Sequence, residues 1–97
     1  MPKGYWISTF RSVRDRDRFA DYVQRAVPIV LAAGARFIVK NMPVKVYEDG
    51  IDELTVVLEF ESTAAAIATY ESAAYQDALK LLGDAVEREV RIVEEFV

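Results

Sequence analysis

Two short stretches, KGYWISTFR (residues 3–11) and LTVVLEFE (residues 54–61), constrain the chain more than any other feature. Both are rich in β-branched and aromatic residues and read as strands. In the first, Tyr5, Ile7 and Thr9 share one face, while Trp6, Ser8 and Phe10 share the other. In the second, Leu54, Val56, Leu58 and Phe60 oppose Thr55, Val57, Glu59 and Glu61. A strand with one wet side alternates apolar with polar residues. Here Trp6 and Phe10 oppose Tyr5 and Ile7, and Val57 opposes Val56 and Leu58, so both faces of the sheet need cover.

Between and beyond these strands the chain spells out helices and further strands. Asp15 is a suitable N-cap, and Asp17 adds an acidic first turn. Phe19, Tyr22, Val23, Ala26, Val27, Val30 and Ala33 then follow helical spacing. Pro28 lies inside this stripe, removes the hydrogen bond to Gln24 and predicts a kink. Gly34 is placed to end the helix in the left-handed conformation. Ala35 to Lys40 and Val44 to Glu48 read as strand, interrupted at Asn41-Met42-Pro43 by a bulge or an edge. An acidic hairpin turn, EDGIDE, follows; its carboxylates match no calcium-loop spacing and read as a solvated turn. Ser62 and Ser72 are spaced to cap two successive helical segments with a joint between them. Beyond the joint, Tyr75, Ala78, Leu79, Leu82 and Val86 form one inward stripe, and Glu89 to Phe96 reads as the last strand.

The order is strand, helix, strand, strand, helix, strand. With right-handed crossovers, two such units interleave into an α+β, ferredoxin-like βαββαβ arrangement. Its four-stranded antiparallel sheet is covered on one face by both helices. The second apolar face then calls for another sheet, and a second copy of the chain would provide it as a homodimer.

Composition narrows the chemistry. Ninety-seven residues support one domain with one core, so residues 1–97 are read as a single domain. With 53% hydrophobic and 29% charged residues the chain is globular in character. The longest apolar run, Ala26 to Ala35, contains Pro28 and Gly34 and is half of the ~20 residues a bilayer span needs. No membrane partner is expected, and MPKGYWISTF lacks the features of a secretory signal, so the expected compartment is cytoplasmic. The sequence has neither histidine nor cysteine, which removes the usual general base, His-ligated haem, zinc sites and thiol catalysis. No metal and no cofactor are expected. A net charge of −4 disfavours nucleic acid. The cluster Arg11, Arg14, Arg16 and Arg18 is interrupted by Asp15 and Asp17 and reads as a solvated helix start.

Six motifs in order carry a family resemblance: Tyr5-Trp6-Ile7; Asp15 followed by Tyr22; Gly34-Ala35-Arg36-Phe37-Ile38-Val39; Val57-Leu58-Glu59-Phe60; Tyr70-Glu71-Ser72 with Tyr75-Gln76; and Ile92-Val93-Glu94. Together they resemble the domain-of-unknown-function family numbered 1330, within the dimeric α+β barrel superfamily, over nearly the whole chain. The resemblance implies two ferredoxin-like protomers whose sheets close into a barrel, with a cleft between sheet and helices in each. The superfamily includes cofactor-independent monooxygenases, haem-degrading enzymes and small-lactone isomerases. Members often carry His at the position of Thr9, a basic residue near Leu54 or Thr55, and Arg at the position of Leu82; this chain has none of these. The resemblance thus marks Thr9 as a cleft position while implying a more apolar cleft.

The candidate ligand-binding residues are therefore Thr9, Tyr22, Arg36, Tyr70 and Tyr75. Buried tyrosines need partners for their hydroxyls, so the three either satisfy one another in a packed core or edge a pocket. Arg36 and Glu59, on strands expected to pair, form either a structural ion pair or a carboxylate anchor on a cleft wall. Trp6 is first an interface residue and second a flat wall for an aromatic ligand. These features support a small protein binding a small, largely apolar molecule between sheet and helices. A cofactor-independent monooxygenase or isomerase is the enzymatic alternative, with Arg36 holding an oxyanion, and a structural or regulatory dimer without ligand is the third.

Overall fold

The computed structural model describes residues 2–97. Its elements are β1 (Gly4–Val13), α1 (Arg16–Ala32), β2 (Arg36–Asn41), β3 (Thr55–Phe60), α2 (Thr63–Tyr70), α3 (Ala73–Leu82) and β4 (Val86–Glu94). The strands form one antiparallel sheet in the order β2-β3-β1-β4, the ferredoxin-like α+β arrangement.

Local chemistry sets the helix ends. Asp15 Oδ1 accepts from the Arg18 backbone N–H at 3.0 Å and opens α1, which continues through Pro28 to Ala32 without interruption. The helix stops at Gly34, whose φ of 89° is a left-handed conformation. Its N–H bonds Leu31 O and the Ala35 N–H bonds Val30 O, each at 3.0 Å, closing a Schellman cap. Ser62 accepts from Ala65 N, and Ser72 from Tyr75 N, so the second helical region divides into α2 and α3 at Glu71–Ser72. The helices carry no segment long and apolar enough to cross a membrane among the described residues.

Register assigns the faces. Trp6 pairs with Leu58 and Ile92, Ser8 with Val56 and Val90, and Phe10 with Arg88; all point toward the helices. Trp6, Phe60 and Tyr75 are the largest fully buried side chains. Trp6 stacks on Phe60 at 6.0 Å and meets Tyr75 edge-on at 5.0 Å. It is a core residue, not the interface residue expected, because the helix-covered face needs the larger volume and both faces of β1 carry bulk. The opposite face presents Tyr5, Ile7, Val57 and Val93, with Val39 and Val93 41% and 44% exposed.

Two strand expectations change. Val44–Glu48 is not a strand: residues 42–54 form a loop in which Pro43 cannot donate to a ladder, and Val44 is fully exposed. A turn closes within it, Gly50 N bonding Tyr47 O at 2.9 Å. β4 starts at Val86 rather than Glu89, because buried Ala85 and Val86 anchor its start and Val86 pairs with Val13.

Candidate functional site

Helix α1 approaches α3 closely but stands off the sheet, and Phe19, Phe10 and Phe37 line the gap. The result is a cavity of about 60 Å³ between α1 and the inward faces of β1, β2 and β3. Its long wall is apolar, from Val23, Val27 and Val30 on α1 to Val56 and Leu58 on β3. One end is polar, and three side chains from three elements make it so.

Tyr22 comes from the inward stripe of α1 and Tyr75 from the first turn of α3. Their hydroxyls hydrogen-bond one another directly. Arg88 on β4 donates from Nη2 to the Tyr75 oxygen at 3.0 Å. Its guanidinium lies 5.7 Å from the Phe10 ring centroid and 5.3 Å from that of Tyr22, a cation held between two aromatic faces. A second polar pair lies alongside, Trp6 Nε1 donating to buried Ser8 Oγ at 3.0 Å. Burial, followed by the neighbouring Tyr22, pushes the Tyr75 phenol far above its ordinary range, so it stays protonated. Burial opposes the Arg88 charge, but the phenol oxygens of Tyr22 and Tyr75 outweigh it and hold the guanidinium above its ordinary value.

Of the expected site residues, the structure brings Tyr22 and Tyr75 together on this cavity. Tyr70 packs its ring 5.2 Å from Tyr75 but lines a separate depression with Ile67 and Ile92 between α2 and β4. Arg36 does form the expected ion pair with Glu59, at 3.1 Å, but on the opposite sheet face, so it is not a cleft anchor. Tyr5 donates to the same carboxylate at 3.0 Å. Packing works against the Glu59 charge, yet the bonds from Tyr5 and Arg36 hold its carboxyl below the ordinary 4.5. Thr9 likewise points away from the helices, pairing with Thr55 and Glu89 beside a groove under the 42–54 loop. Leu82 is buried core.

Ser8 and Arg88 are the site residues that strand periodicity alone did not single out. Arg88 sits in a charged run, EREVR, with two Glu and two Arg, that resembles a solvated strand start. Its signal was alternation: Arg88, Val90 and Ile92 share a face once the strand begins at Val86.

The sequence matches the family described as Domain of unknown function (DUF1330) over residues 3–96. No curated protein matches it. Among solved structures, it is similar to a protein of unknown function from Rhodopseudomonas palustris, with 14% identity and TM-score 0.78, covering 99% of this chain and 84% of that one. It is also similar to SnoaB, a cofactor-independent oxygenase from Streptomyces nogalater, with 10% identity and TM-score 0.68, covering 100% and 96%. A dimeric ferredoxin-like protein of unknown function from Thermobifida fusca shares 13% identity and TM-score 0.63, covering 97% and 92%.

Proposed function

The chain belongs to the DUF1330 family, and from that premise we propose that it is a homodimeric protein that binds a small, largely apolar molecule in the cavity between α1 and the sheet. The observation that carries this reading is the cavity itself: an apolar slot ending in the Tyr22, Tyr75 and Arg88 cluster. Ligand sites commonly combine an apolar lining with a few convergent polar groups. The dimer reading rests on the outer sheet face, where Tyr5, Ile7, Val57 and Val93 lie side by side without helical cover, and on the similarity to a dimeric protein of this fold.

The test is a thermal-shift and NMR screen of small acids, phenols and quinones against the wild type and Val27→Phe, which fills the slot. Binding that raises the wild-type midpoint and disappears in Val27→Phe supports the cavity; an unmoved midpoint for every compound contradicts it. Light scattering reads the dimer independently, and a species near 11 kDa at micromolar concentration contradicts that part.

A second reading, a cofactor-independent oxygenase, is favoured by the full-length similarity to the Streptomyces nogalater enzyme. Hydroxyl and guanidinium donors at the end of the slot suit a developing oxyanion. Oxygen uptake with an easily deprotonated aromatic substrate, reduced at least tenfold in Tyr75→Phe, tests it; uptake unchanged in Tyr75→Phe rejects it.

A further inference from the structure

The polar end of the cavity is a surplus of donors. The Tyr22 and Tyr75 hydroxyls share one hydrogen bond, and Tyr75 also accepts from Arg88. Whichever tyrosine donates, one phenolic hydrogen is left without an acceptor among the described residues. Ser8 accepts from Trp6, and its own hydroxyl hydrogen has no acceptor among the described residues. Arg88 offers five N–H donors; one bonds the Tyr75 oxygen at 3.0 Å, and the Tyr22 oxygen lies near enough to support the charge, which leaves at least three without an acceptor among the described residues. No buried side-chain nitrogen is without a partner among the described residues, so the remaining Arg88 nitrogens are reachable from the cavity or from solvent.

Charge points the same way. The chain is acidic at −4; Arg36 pairs with Glu59, Arg11 and Arg91 with Glu89, and Arg18 with Asp84, while Arg14, Arg16 and Arg25, which have no such pair among the described residues, are exposed to solvent. Arg88 has no carboxylate within 4.0 Å among the described residues. The charged residues lining the cavity are Arg88 and Lys40, both positive, and no acid lines it. A half-buried guanidinium without counter-charge, beside unpaired hydroxyl hydrogens, is a site for an anionic oxygen.

We infer that the cavity selects a small carboxylate, its oxygens seated at Arg88 and at the free phenolic hydrogen, with its hydrocarbon part along Val23, Val27 and Val56. This rests on the cavity being the ligand site and adds the ligand's charge. Size agrees with a short acid. One water needs about 10–15 Å³ of such space, so 60 Å³ holds roughly four to six heavy atoms.

The test compares butyrate with its neutral isostere butyramide by NMR titration at neutral pH and low salt, on the wild type, Arg88→Met and Tyr75→Phe. Butyrate is expected to bind the wild type at least tenfold more tightly than butyramide. Arg88→Met, which keeps the apolar stem, is expected to weaken butyrate by about ten- to a hundredfold while leaving butyramide within about threefold. Butyramide binding as tightly as butyrate overturns the charge selection and leaves the cavity reading standing. Binding of neither compound overturns both. If Arg88→Met does not fold, the comparison of acid with amide on the wild type decides alone.

Discussion

Replacing Tyr75 with phenylalanine is the substitution whose cost the structure specifies best. The side chain is fully buried, and its ring contacts with Trp6, Tyr70 and Tyr22 survive the change. What is lost is one oxygen with two partners, the Arg88 guanidinium and the Tyr22 hydroxyl. A hydrogen bond to a charged group contributes about 1.5–3 kcal/mol and a neutral one about 1. Because the hydroxyl's own desolvation is relieved, the net cost is about 2 kcal/mol. Tyr22→Phe removes the shared neutral bond and the Tyr22 oxygen near the guanidinium, but keeps the 3.0 Å bond from Arg88 to Tyr75, so it costs less, about 1 kcal/mol. Since both variants delete that same bond, the double variant costs less than their sum, by about 0.5–1 kcal/mol. Urea unfolding followed by the fluorescence of Trp6, the single tryptophan and a neighbour of Tyr75, reads all three at one fixed protein concentration. A Tyr75→Phe cost no greater than that of Tyr22→Phe, or strict additivity, would refute the hydrogen-bonded cluster.

Two further outcomes follow from other parts of the fold. Glu59 has a folded-state pKa held below its ordinary 4.5 by Tyr5 and Arg36, with packing as the opposing influence. Its stabilisation is therefore present above about pH 4.5 and lost as pH falls through the depressed value; Glu59→Gln should flatten the acid limb of the stability profile, and an unchanged limb counts against the outer-face cluster. Glycine substitutions should separate crowding from backbone conformation. A Cβ on Gly4 would lie 2.5 Å from the Thr63 backbone nitrogen, so Gly4→Ala forces β1 from α2 at about 1–3 kcal/mol. Gly34 has open space around it but a φ of 89°, so Gly34→Ala costs only about 1 kcal/mol, and the reverse order in thermal melts would contradict the close approach.

How much of this was legible in the sequence depended on how local the cause was. Asp15, Gly34, Ser62 and Ser72 end or begin helices through bonds to residues a few positions away, and all four do so where spacing predicted. The pairing of Arg36 with Glu59 was readable because adjacent strands of a hairpin place such residues opposite one another. Which face they occupy was not, since β1 and β3 carry bulk on both sides and a period of two cannot tell the covered face from the open one. That ambiguity misplaced Trp6 and Arg36, and Thr9, which the family resemblance had marked as a cleft position, lies on the open face as well. Val44 to Glu48 has strand-forming residues but no partner strand, and propensity without a partner does not make a sheet. Arg88 was hidden for a related reason: its inward direction is set by its register with Phe10, a contact distant in sequence.

The central claim, that the slot under α1 is where a ligand sits, is tested most directly by methyl NMR of the valines during titration with butyrate. Val23, Val27, Val30 and Val56 line the slot, whereas Val57 and Val93 lie on the opposite sheet face. Saturable shifts confined to the first group are the predicted result. Shifts at Val57 and Val93 instead, or none at the slot valines, would contradict it.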